Sequence, residues 1–419
     1  MTIYEKRDLK IKGIIMKKTF LKKLVTASIA VVTALSVFRG VPTFADTNDD
    51  NLATARATGE SDAKVAINKT LKIAEGITTP NATFTFTFTP QTGTSSNGAP
   101  YETGTNIPDQ SVTFLSSDVL KPNEDSIKKD TTNIFYSVRY NHAGEYVYRV
   151  AEKNDGWHAI SKNGTPIDYM TYDTRTYDMH VIVKNKSREN GTYISSVYFK
   201  ETSNTNGAKV KPSTGSETYK YDLFSNIYRK DAGKITDPND PKPNNPDQAN
   251  IDPTANSLVI KKVVSGSSAD KTKNFTFKLT FKKASTEDAS SINGSINGVS
   301  QTFEYDREIT ITLRHDQTLV FKKIPAGTKY KLVEVSSKGY TASSELKSNG
   351  LIKTQNGTKS QDFTQENILV GEKPNNNTIT NSLPDVTPTG LLIDNLPFIL
   401  MIGLSLAGFV ILSKKRRQA

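Results

Sequence analysis

Apolar and polar positions alternate with period two over most of this chain, a pattern that predicts strands rather than helices. From Val65 onward, runs rich in Val, Ile, Thr, Phe and Tyr are separated by turn residues. Thr83–Phe88 reads Thr-Phe-Thr-Phe-Thr-Phe, which gives a strand one aromatic face and one hydroxyl face. Gly144–Ala151, His180–Lys184, Tyr193–Phe199 and Tyr219–Tyr228 repeat the pattern, and the Gly/Ser/Thr/Asn-rich residues 91–110 are expected as a long loop. No amphipathic stretch of helical period competes with these runs, so the expected fold is all-β. Two apolar runs break the alternation. Leu24–Phe38 follows the basic Lys17, Lys18, Lys22 and Lys23 and precedes the small-residue site Thr43-Phe44-Ala45, the order of an export signal. Leu396–Leu412 precedes Lys414-Lys415-Arg416-Arg417. As a helix rising ~1.5 Å per residue it would be roughly 25 Å long, near the minimum that crosses a bilayer, with the basic tail left in the cytoplasm.

Between these runs the polar positions divide the chain. Residues 231–256 carry Pro238, Pro241, Pro243, Pro246 and Pro253 among Asp and Asn, the composition of a semi-rigid linker. The expected organisation is residues 1–45 as a signal peptide with an upstream extension and 46–230 as a first β-sandwich domain. Residues 231–256 are the linker, 257–385 a second sandwich, and 386–419 a C-terminal motif, transmembrane helix and basic tail. Both domains are of ordinary size for a sandwich. The second repeats the plan of the first. Val65-Ala66-Ile67-Asn68-Lys69 is echoed by Leu258-Val259-Ile260-Lys261-Lys262, and Phe84-Thr85-Phe86 by Phe275-Thr276-Phe277. Tyr148-Arg149-Val150-Ala151-Glu152 is echoed by Tyr330-Lys331-Leu332-Val333-Glu334, and each domain ends on a strand carrying Asn, at Asn226 and Asn381.

Charge and composition then narrow the chemistry. The formal net charge is +11, but residues 1–45 contribute +7 and residues 390–419 contribute +3, so the segment between them carries only +1. A nucleic-acid-binding surface draws on a basic excess that this segment lacks, and nucleic acid is not expected as a partner. Cysteine is absent, which removes thiolate nucleophiles, thiolate metal sites and disulfides from a chain that carries an export signal. His142, His158, His180 and His315 are scattered without metal-ligand spacing, and neither a phosphate loop nor a Ser-centred elbow occurs. Neither a metal nor a cofactor is expected.

Three polar side chains fall on inward faces in both domains, in the same order. Lys69 lies in the row Val65, Ile67, Leu71, Ile73, and Lys262 in the row Leu258, Ile260, Val264. Glu152 continues Tyr146, Tyr148, Val150, and Glu334 continues Tyr330, Leu332, while Asn226 lies between Phe224 and Tyr228 and Asn381 between Ile379 and Leu383. Burying such groups without compensation costs several kcal/mol per charge. Strand ends that reach solvent, or a buried Lys–Glu pair, would explain one domain alone. Repetition favours an intramolecular isopeptide bond. Desolvation leaves the lysine amine neutral and nucleophilic and keeps a proton on the glutamic acid, which can polarise the Asn carboxamide by hydrogen-bonding its oxygen and pass the proton to departing ammonia. Such an amide would take the place of the missing disulfides.

These residues, with the tandem plan, resemble the streptococcal major (backbone) pilins of the T-antigen type, over essentially the whole chain. That resemblance implies immunoglobulin-like (CnaB-type) sandwiches with isopeptide cross-links Lys69–Asn226 and Lys262–Asn381 and with Glu152 and Glu334 as catalysts. Val386-Thr387-Pro388-Thr389-Gly390 resembles a cell-wall sorting signal, with Pro in the third place as in some streptococcal pilus subunits, and a sortase would cut between Thr389 and Gly390. In the family, the Thr carbonyl passes to a lysine near the end of the next subunit's first domain. Tyr219-Lys220-Tyr221 loosely resembles that lysine's motif, so Lys220 is the candidate, with Lys211 the alternative. The resemblance implies a structural, non-enzymatic shaft subunit of a covalent Gram-positive pilus, secreted and anchored to the cell wall. Its expected partners are further copies of itself, a pilus sortase, minor pilins, peptidoglycan and a host surface. The alternative is a monomeric wall-anchored adhesin for host matrix or glycan.

Overall fold

The structure, a computed structural model, describes residues 53–203, 207–213, 217–236, 250–384, 400–402 and 404–407. The export signal and the motif Val386–Gly390 lie outside these residues. Residues 400–402 and 404–407 are helical, and no helix among the described residues is long and apolar enough to cross a membrane. The rest is β-structure in two sandwiches.

In the first sandwich a four-stranded sheet runs in the order Ser126–Asp130, Lys64–Lys72, Thr218–Lys230, Asp168–Thr171. It faces a six-stranded sheet in which Gly144–Glu152 lies between Tyr177–Asn185 and Ala82–Pro90. The aromatic face of Ala82–Pro90 turns inward as its alternation requires. Phe84 and Phe86 are fully buried, while Thr83 and Thr85 trade hydroxyl bonds with Thr113 and Ser111 on the outside. In the second sandwich, Leu258–Ser265 lies between Thr318–Phe321 and Asn376–Ser382 in a seven-stranded sheet. Opposite stand Ile309–Leu313, Phe275–Lys282, Thr328–Glu334 and Phe363–Val370. Each sandwich has its own apolar core, centred on Phe84, Phe86, Tyr148 and Phe224 in the first and on Phe275, Phe277, Leu332 and Phe321 in the second.

One topological feature positions the chemistry. In each sandwich the first long strand pairs parallel with the last, Lys64–Lys72 with Thr218–Lys230 and Leu258–Ser265 with Asn376–Ser382. The first long strand and the last are therefore neighbours in each sandwich, and in the second they are also where the chain enters and leaves.

The segment expected as a linker is tied down at both described ends. Ile235 and Ile251 bridge each other and pack with Ile160 and Ile167 of the first sandwich. Buried Lys234 donates to the carbonyls of Ala255 and Lys322. Composition masks this because the few apolar residues of the segment sit at its two ends, where they meet.

Candidate functional site

In the first sandwich the three predicted residues meet. The Lys69 Nζ donates to Glu152 Oε2 at 2.5 Å, and the Asn226 Nδ2 donates to Glu152 Oε1 at 2.5 Å. The side chains of Lys69 and Glu152 have no exposure, and Asn226 is fully buried. The lysine and the asparagine come from the paired parallel strands and the glutamate from the facing sheet. Two sheets must close on each other before the set exists. Phe84 and Phe224 wall the amine, their ring centroids 4.8 and 6.0 Å from Nζ.

The second sandwich repeats the arrangement in the same register. Lys69 pairs with Phe224, two residues before Asn226, and Lys262 pairs with Ile379, two residues before Asn381. Phe86 pairs with Glu152 as Phe277 pairs with Glu334. Asn381 Nδ2 donates to Glu334 Oε1 at 2.6 Å, and the same oxygen lies 3.5 Å from Lys262 Nζ. Phe275 and Phe277 wall this amine at 4.4 and 6.0 Å.

Electrostatics follow from burial. Desolvation pulls both lysines down to about 8, against the opposing pull of their glutamates. It pushes Glu152 and Glu334 above the usual carboxylate range, although the lysine and asparagine beside each act the other way. Each site thus joins an amine that loses its proton easily to a carboxyl that keeps one easily.

The contact between Glu and Asn differs from the sequence expectation. The carboxyl faces the amide nitrogen, not the oxygen. In the first sandwich Asn226 Oδ1 instead accepts the backbone N–H of Asp173 at 2.8 Å. Among the described residues Asn381 Oδ1 and Glu334 Oε2 have no hydrogen-bond partner. Sequence reasoning missed Asp173 because it lies in the loop between Asp168–Thr171 and Tyr177–Asn185 and has no echo in the second domain. Its only local signal is Asp173-x-Arg175 directly after a strand.

The other candidates are placed as follows. Lys220 lies on Thr218–Lys230, with its side chain 40 % exposed, and pairs with Asp130 at 2.5 Å. Lys211 is exposed in the stretch before that strand. Neither belongs to the buried sets.

Two sandwiches, each with a buried Lys–Glu–Asn set bridging its paired parallel strands and the facing sheet, define a class of tandem β-sandwich proteins with isopeptide-type geometry. Comparison with known proteins agrees. Residues 65–229 match the family described as Spy0128-like isopeptide containing domain, and residues 256–367 match one described as a domain of unknown function (DUF7601). The chain is similar to a pilin of Streptococcus pyogenes serotype M1, 25% identical over 84% of this chain and 91% of that one. It is similar over 23% of its length to the S. pyogenes pilus tip adhesin Cpa, at 31% identity, spanning 14% of that protein. Among solved structures, the major pilin of S. pyogenes aligns with 77% of this chain and 99% of its own, at 21% identity and a TM-score of 0.33. The T3.2 major pilin aligns with 79% and 99%, at 19% identity and a TM-score of 0.32. The matched isopeptide family and the pilin relative support a major pilin, a structural subunit of a pilus shaft.

Proposed function

We propose that each sandwich of this shaft subunit closes a Lys–Asn amide on itself, Lys69 to Asn226 and Lys262 to Asn381, with Glu152 and Glu334 as the proton carriers. The observation that carries the reading is the chain of contacts Lys69–Glu152–Asn226, in which one carboxyl touches both the attacking amine and the departing amide nitrogen. The neutral Nζ attacks Asn Cγ, the Nζ–Cγ bond forms, and the Cγ–Nδ2 bond breaks. One proton leaves Nζ for the carboxyl and is returned to Nδ2, which departs as ammonia. The folded core supplies proximity without any further reagent. In the second sandwich the chain enters on Leu258–Ser265 and leaves on Asn376–Ser382, so tension along a shaft would run through the Lys262–Asn381 amide and bypass that sandwich.

The subunit assembles with other pilins into a cell-surface pilus of a Gram-positive bacterium. In the finer reading a sortase cuts between Thr389 and Gly390 and passes the Thr389 carbonyl to Lys220 of the next copy, with Lys211 the alternative. The last subunit is joined to peptidoglycan. Lys220 suits the acceptor role by its partial exposure. Intact mass of residues 46–389 tests the internal bonds. Each bond removes about 17 Da as ammonia, and a mass equal to that of the unmodified chain rules them out. Ladders of high molecular weight in wall extracts test assembly. They should vanish in Lys220→Ala, and a single monomeric band from the unaltered chain would favour the adhesin reading.

A further inference from the structure

The two sites share the strand positions of their lysine, glutamate and asparagine but not their treatment of the asparagine oxygen. When Nζ attacks Cγ, negative charge develops on Oδ1, so a fixed N–H donor there lowers the barrier. In the first sandwich Asp173 supplies one, and the loop that carries it is braced. The Asp173 carboxylate, 6 % exposed, accepts the N–H of Ser225, next to Asn226 on the same strand, at 2.8 Å, and that of Arg175 at 3.0 Å. The Arg175 guanidinium adds Nε at 3.0 Å and Nη2 at 2.5 Å, which also neutralises a carboxylate that would otherwise repel the developing oxyanion. The second sandwich offers Asn381 Oδ1 no partner among the described residues, and its Lys262–Glu334 contact is 3.5 Å against 2.5 Å.

We infer that the Asp173 backbone N–H, held by Arg175, is an oxyanion donor specific to the first sandwich, and that the first cross-link therefore closes before the second. The inference rests on the cross-link reading above. No new reagent enters, since the bonds made and broken are those already given and only the charge on Oδ1 is stabilised.

The test follows both bonds in time. Full-length chain is made in a cell-free system, samples are quenched in acid, and the two cross-linked peptides are quantified separately by mass spectrometry. In the unaltered chain the Lys69–Asn226 peptide should appear first. Asp173→Pro, which deletes the N–H, should slow that bond by about 100-fold and leave the Lys262–Asn381 bond at its original rate. Arg175→Ala, which keeps the N–H but frees the brace, should slow the first bond about tenfold, and it decides the matter should Asp173→Pro lack the native far-UV circular dichroism. Equal rates at both sites, a faster second site, or an unslowed first bond in whichever of these variants folds would overturn the inference while leaving the cross-links in place. No ammonia loss at either site in the unaltered chain would overturn the cross-link reading itself.

Discussion

At the residue scale the chemistry depends on proton affinities that burial sets. Lys69 and Lys262, held down to about 8, keep the proton that blocks attack until the medium approaches that value. In freshly folded chain, bond formation should therefore speed up between about pH 6 and about pH 8, read as the rate of the 17 Da loss. A flat profile would speak against attack by a deprotonated amine. Glu152→Ala and Glu334→Ala should each abolish one loss of about 17 Da and leave the other, because among the described residues each carboxyl bonds the lysine and asparagine of its own sandwich. Two losses in either variant would take the glutamate out of the mechanism.

At the element scale the parallel pairing of first and last strands decides how much a bond is worth. A Lys69–Asn226 or Lys262–Asn381 amide encloses nearly a whole sandwich, loops of roughly 160 and roughly 120 residues, and the chain-entropy argument gives about 5 kcal/mol for each. The Glu152→Ala chain should accordingly unfold its first sandwich at clearly lower temperature than the unaltered chain, and calorimetry with trypsin digestion should locate the loss there. The aromatic alternation was legible in the sequence because period two fixes which side chains face inward. Which strand neighbours which was not. Strand order depends on contacts between residues far apart in the chain, and the pairing of Lys69 with Phe224 is of that kind.

At the scale of the whole molecule the two sandwiches meet through groups that do not recur from one repeat to the other. Glu372 accepts the Lys230 Nζ at 2.7 Å, the Thr78 hydroxyl at 2.5 Å and the Thr78 N–H at 3.1 Å, all from the first sandwich. Gly327 approaches so closely that an added Cβ would stand 2.4 Å from the Cβ of Ala74, and its φ of +94° is one that side-chain-bearing residues rarely adopt. Glu372→Ala leaves Lys230 buried without its partner and should destabilise the junction by roughly 3–5 kcal/mol, seen as the sandwiches unfolding in two separate transitions. Burial alone would raise Glu372, but Lys230 and Thr78 outweigh it and hold the carboxyl below its ordinary value of 4.5. A depressed carboxyl contributes fully above that ordinary value and loses its contribution as the pH falls toward its own. The junction should therefore open in acid, measured by proteolysis near residues 231–236, while Glu372→Ala shows no such pH dependence.

The sequence by itself determined the fold class, the twofold repetition and the Lys, Glu and Asn of each set. These rest on local period and on strings that recur, Val65–Lys69 in Leu258–Lys262 and Tyr148–Glu152 in Tyr330–Glu334. Only the tertiary structure decided that the carboxyl faces the amide nitrogen, that Asp173 covers one asparagine oxygen and nothing described covers the other, and that Glu372 joins the sandwiches. Those contacts unite residues separated by dozens to hundreds of positions. Burial and direction at such distances come from the closing of sheets on one another, which no local pattern encodes.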